Sequence, residues 1–185
     1  MILKITFAVL AYLFLVYLLL PGPESINDFP SLPNSLKSTE EGDTIQIPNI
    51  AAYFSYEYRE SVIPYYLASY KKNTLFPFYP FRLNHPPEFA YSAIKDQTRS
   101  TYLEELFYPF RDSIFINGFE PYYKDGTPKF EGATNIVVED IFFNTKTTLR
   151  FYPSTIWARL VVWLGIITSI ILLWNITKKI VFNKI

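Results

Sequence analysis

His85 is the side chain best suited to move a proton near neutral pH, and it is the one histidine in the 185 residues. Imidazole titrates close to pH 7 without any help from its surroundings. Arg82 precedes it, and Glu88 and Asp96 follow. A histidine with carboxylates beside it can serve as a general base, so His85, Glu88 and Asp96 are the catalytic candidates. The competing reading is structural and is favoured: His85 beside Pro86 would simply cap a helix. Glu104 and Glu105 point about 100° apart on a helix, so they do not form a facing carboxylate pair of the kind glycoside hydrolysis requires. With Lys95, Asp96, Arg99, Arg111 and Asp112 they read as a solvated charged face, on which Asp96 and Arg99 could pair.

Other chemistries are excluded by residue type. The chain has no cysteine, which removes disulfides, thiol nucleophiles and cysteine-ligated metal sites. A single histidine leaves no multi-histidine metal centre. The six glycines are isolated from one another, so they make no phosphate-cradling loop, and neither G-x-S-x-G nor H-E-x-x-H occurs. The expectation is therefore no cofactor and no metal. Tyr53, Tyr56, Tyr58, Tyr65, Tyr66, Tyr70 and Tyr79 are dense enough to suggest stacking on sugar rings, against the favoured alternative that they fill a core.

The elements that must carry these residues follow from where the charges lie. The chain holds 17 acidic and 17 basic side chains. Every acid falls between Glu24 and Asp140, and twelve of the bases between Lys37 and Arg150, while Lys4, Arg159, Lys178, Lys179 and Lys184 lie toward the two ends. The middle carries a net charge of −5 and the two ends together +5. A zero sum gives no basic surface for nucleic acid.

Both ends are apolar. A helix rises about 1.5 Å per residue, so about 20 residues cross a hydrocarbon core of ~30 Å. Residues 1–20 fit an uncleaved signal anchor or first transmembrane helix; the alternative is a cleaved signal peptide, disfavoured because no A-x-A-like site follows Leu20. Residues 156–177 fit a second span. Trp157 and Trp174 mark its ends as interfacial anchors, Arg159 is expected to snorkel to the interface, and Lys178 and Lys179 close it. Gly165 and Ser169 are spaced to let another helix approach, either the first span or a second copy. The lysine flanks predict cytoplasmic termini with residues 21–155 outside, in a bacterial plasma membrane, followed by a short basic tail at 178–185.

Between the spans, residues 21–48 read as an extended Pro/Ser-rich tether. Residues 49–153 read as a small aromatic-rich α+β extracytoplasmic domain, helices first and strands last. A helix is expected to start after Asn49, with a second over Ser61–Lys72 kinked near Pro64. A third is expected from Asn84-His85-Pro86-Pro87-Glu88, where cap, prolines and carboxylate agree. Thr101-x-x-Glu104 reads as a capping box that opens a helix ending at Pro109. Ser113–Phe119 reads as a strand with a turn or bulge at Asn117-Gly118. The stretches 136–143 and 147–152 are expected to form a β-hairpin about Asn144-Thr145-Lys146.

Together these readings predict a two-span integral membrane protein of the cell envelope. Its expected role is non-enzymatic binding or assembly as an accessory subunit, with the bilayer, a protein partner or a second copy as contacts. The alternative is a membrane-anchored enzyme or glycan-binding module with its site near His85.

Overall fold

In the computed structural model, residues 2–40, 43, 47–95 and 99–182 are described. In chain order the elements are helix α1 (Ile2–Leu19), strands β1 (Leu36–Lys37) and β2 (Ile50–Ser55), helix α2 (Arg59–Lys72), strand β3 (Phe81–His85), helix α3 (Ala90–Ala93), strands β4 (Tyr102–Phe107), β5 (Ser113–Phe119), β6 (Ile136–Val138), β7 (Ile141–Phe143) and β8 (Thr145–Tyr152), and helix α4 (Ile156–Thr177). The chain forms two compact units: residues 22–153, and residues 1–21 together with 154–185.

The unit of residues 22–153 is α+β, but helices do not precede strands. Six antiparallel strands form one sheet in the order β1-β2-β8-β5-β4-β3, and β6 and β7 form a separate ribbon. Side chains alternate across a strand, so the register sorts the sheet into two faces. Tyr102, Glu104 and Leu106 stand beside Gly118, Ile116 and Ile114, and these beside Thr147, Leu149 and Phe151. Helix α2 covers this face with Val62, Ile63, Tyr66 and Tyr70, all buried. Tyr70 meets Tyr108 edge-on at 5.1 Å, and Phe29 bridges Tyr70 and Phe151. The opposite face carries Ala90, Ile94 and Leu103 as a smaller buried cluster with Ala93 and Phe115 against it.

Several expectations change here. The segment after Asn49 is strand β2, buried on both faces. Asn49 itself has φ +60°, a left-handed conformation asparagine tolerates, and its carbonyl accepts Phe151 N–H at 2.9 Å. Thr101-x-x-Glu104 opens strand β4, not a helix. Thr101 Oγ1 instead donates to Gly118 O across the sheet. The helix expected from Asn84 is reduced to a 3-10 turn at Pro87–Phe89 and the single turn of α3, with Asn84 and His85 in β3. Helix α2 runs continuously through Pro64.

The strand at Ser113–Phe119 contains Asn117 and Gly118 without a break. Gly118 is required by close approach, since a Cβ there would fall 1.9 Å from Tyr102 Cε1. The hairpin turn lies at Glu139-Asp140, both with positive φ as a type I′ turn needs. Strand β8 pairs with β2 and β5 instead of β7. Residues 22–37 are not a free tether: Ile26, Phe29 and Leu32 are buried in the domain and Leu36–Lys37 pairs with β2.

In the other unit, α1 and α4 are long and apolar enough to cross a membrane. They pack antiparallel, with Trp163 Nε1 donating to Ala11 O at 2.9 Å and Arg159 Nη1 to Leu18 O at 3.1 Å. Arg159 is thus buried against the Leu18 carbonyl in the last turn of α1, where positive charge also suits the helix dipole. Ser154 holds it from behind through its hydroxyl and carbonyl. Trp157 and Trp174 are exposed, as are Lys178 and Lys179 in the π-helical turn that extends α4. Gly165 has open space where a Cβ would go and Ser169 is exposed, so the small-residue pair does not face α1.

Candidate functional site

The densest charged constellation gathers at the amino end of α2. Tyr58 precedes the helix and supplies no side-chain cap. The carboxylate of Glu120, just past β5, accepts Arg59 N–H at 2.6 Å in its place, an anion set against the positive end of the helix. Lys129 Nζ binds the other oxygen of Glu120. The Arg59 side chain turns back over the Tyr102 ring, 5.3 Å from its centroid, to reach Glu104 on β4.

Glu104 is 0 % exposed and both its oxygens are used. Arg59 Nε donates to Oε1 at 2.9 Å; Arg82 on β3 donates to Oε2 at 2.5 Å and to Oε1 at 2.7 Å. Asn84 Oδ1 takes a further bond from Arg59 Nη2 at 3.0 Å. Burial alone would raise the Glu104 carboxyl, but the hydrogen bonds from Arg82 and Arg59 and their charges outweigh it and hold it below the usual range. Donating to Glu104 in turn pushes Arg82 up. The carboxylate is therefore fixed as an anion with no proton to exchange near neutrality. Such a group orders its neighbours; it is not poised for acid–base work.

Beside this network lies a cleft of about 320 Å³ lined by Tyr58, Glu60, Tyr123, Lys124, Asp125 and Lys129. Lys124 pairs with Glu60 at 3.1 Å, which lowers the Glu60 carboxyl. Lys124 and Lys129 stand over the Tyr58 and Tyr123 rings at 5.5 and 5.1 Å. Two tyrosine rings, two cations and two carboxylates in one concavity can stack on and hydrogen-bond a polyhydroxylated ligand.

His85 lies on the opposite face of the sheet. Its Nε2 is 2.8 Å from Glu105 Oε2, and its ring packs against Phe115. Glu88 is exposed in the Pro87–Phe89 turn, and Asp96 lies outside the described residues. The structure does not bring His85 and Glu88 into one hydrogen-bonded group. Among the described residues no group of three or more His, Cys, Asp or Glu side chains could hold a metal ion. Of the seven tyrosines singled out, Tyr53, Tyr66 and Tyr70 are buried while Tyr56 and Tyr79 are exposed, so core and surface share them.

Arg59, Asn84, Glu120, Tyr123, Lys124 and Lys129 were not anticipated. One signal for the network was present: Tyr102, Glu104, Leu106 and Tyr108 alternate with Leu103, Glu105 and Phe107, the period of a strand. The chain matches no family model, no curated protein and no solved structure.

Proposed function

We propose that this chain is a two-span protein of the bacterial plasma membrane. Both termini are cytoplasmic, residues 21–155 lie outside, and the domain works by non-enzymatic binding in envelope assembly. Strand β3 carries this reading. It ends the sheet and pairs only with β4 among the described residues, leaving its outer edge open to another strand. Phe81 and Leu83 stand on one face of it, 55 % and 46 % exposed, and Leu75, Phe78 and Tyr79 precede it, also exposed. Meanwhile His85 is engaged with Glu105, and Glu104 with two arginines.

The test is the full chain in mild detergent, sized by light scattering and assayed for complementation. A Phe81→Glu/Leu83→Glu variant should lose assembly and complementation while His85→Gln/Glu88→Gln keeps both. The opposite pattern overturns the reading in favour of an enzyme. Orientation is checked with single cysteines at Asp125 and Lys179 in this cysteine-free chain. An impermeant maleimide should label the first in intact cells and the second only after lysis.

The Tyr58–Tyr123 cleft favours a second reading, a glycan-binding module. Tyr123→Ala abolishing retention on peptidoglycan or polysaccharide would support it; no retention of the unaltered protein would end it.

A further inference from the structure

We propose that the helix pair binds one anionic phospholipid in the groove between α1 and α4 at its lysine-bearing end. This rests on the two-span reading above. The groove, about 350 Å³, is lined by Leu3, Lys4 and Phe7 of α1 and by Ile170, Ile171 and Trp174 of α4. Five of the six are apolar, as an acyl chain requires.

The polar end is one-signed. The bonds from Arg159 to Leu18 and from Trp163 to Ala11 set the helices antiparallel, and Leu3 and Trp174 line the same groove, so the start of α1 and the end of α4 lie together. Lys4 lines the groove and is exposed to solvent. Lys178 continues α4 with helical backbone angles one turn past Trp174, so it projects on the same side, and Lys179 follows. No aspartate or glutamate occurs before Glu24 or after Asp140, so this unit offers those lysines no carboxylate side chain. The matching charge is a lipid phosphate at headgroup depth, the level tryptophan also prefers. The acyl chain then lies along Phe7, Ile170 and Ile171 while Lys4 and Lys178 hold the phosphate.

The experiment is native mass spectrometry of the full chain in detergent, titrated with phosphatidylglycerol, with phosphatidylcholine of the same acyl chains, and with glycerol 3-phosphate. One phosphatidylglycerol per chain should be retained with about tenfold or greater preference over phosphatidylcholine, at roughly 1 kcal/mol per lysine near the phosphate. Lys4→Gln/Lys178→Gln should erase the preference, and Lys4→Arg/Lys178→Arg should restore it. Equal retention of the two lipids, a preference unchanged in the glutamine variant, or displacement by glycerol 3-phosphate alone would each overturn the proposal. Extraction of the chain from membranes by alkaline carbonate would instead sink the two-span reading. A chain that resists carbonate yet shows no lipid preference sinks only the lipid site.

Discussion

Glu104 and Glu105 are neighbours in sequence with opposite fates. Glu104 faces α2, has no exposed surface and is clasped by Arg59 and Arg82. Glu105 faces the other way, is partly exposed and meets His85. The difference comes from what covers each face of the strand. A long helix closes one, so any charge there must be fully partnered. Over Glu105 the cover is slight, and water can finish the solvation. Residue type fixed neither role; one step along a strand did.

That contrast can be broken most forcefully at Gly118, on Glu104's face. A Gly118→Val side chain would drive into the buried Tyr102 ring, and the domain should lose about 3 kcal/mol or more. Urea unfolding of the detergent-solubilised chain measures this; a loss under 1 kcal/mol would mean the face is loosely packed.

Next in size is Glu104→Gln, which strands two arginines and should cost about 2–3 kcal/mol, tempered because both guanidiniums are partly exposed. A much smaller cost would mean that water already solvates the pair.

The same carboxyl predicts a pH dependence. Its folded-state pKa lies below its ordinary value of 4.5. Its contribution is therefore complete above that value and is lost as pH falls through the lower folded value. Unfolding midpoints should drop on acidification below about pH 4.5, and Glu104→Gln should flatten part of that slope. An identical slope in the variant would place the effect elsewhere.

The smallest effect is expected on the other face. His85→Gln or Glu105→Gln should change stability by less than about 1 kcal/mol. A larger loss would erase the contrast between the faces.

The sequence made some of this legible and hid the rest for identifiable reasons. The two apolar terminal helices, the helix over Ser61–Lys72 and the strand over Ser113–Phe119 follow directly from hydropathy and β-branched runs. Strand β2 was hidden because Ile50–Ser55 is buried on both sides, and a short continuous apolar run does not separate strand from helix. Strand β4 was hidden by its own chemistry. Glu104 occupies an inward position where an apolar residue is the rule, so the period-two signal was masked by a spacing that imitates a capping box. The charged network was invisible for a related reason. Arg59, Arg82, Glu104 and Glu120 lie far apart in sequence and meet only through α2, β3, β4 and the end of β5.

Strand β8 has a consequence for how the domain comes into being. It is the last strand made, yet it lies inside the sheet between β2 and β5, with Ile50 paired to Arg150. Without residues 145–152 the sheet divides into two ribbons, β1–β2 and β5–β4–β3, each with an open border. Such long-range closure is slow, and incomplete intermediates with raw strand edges are the species that aggregate or engage chaperones. The sheet is sealed only when residues 145–152 slide between the ribbons, so a stall in synthesis just before Thr145 would leave the domain open however much of it had already been made.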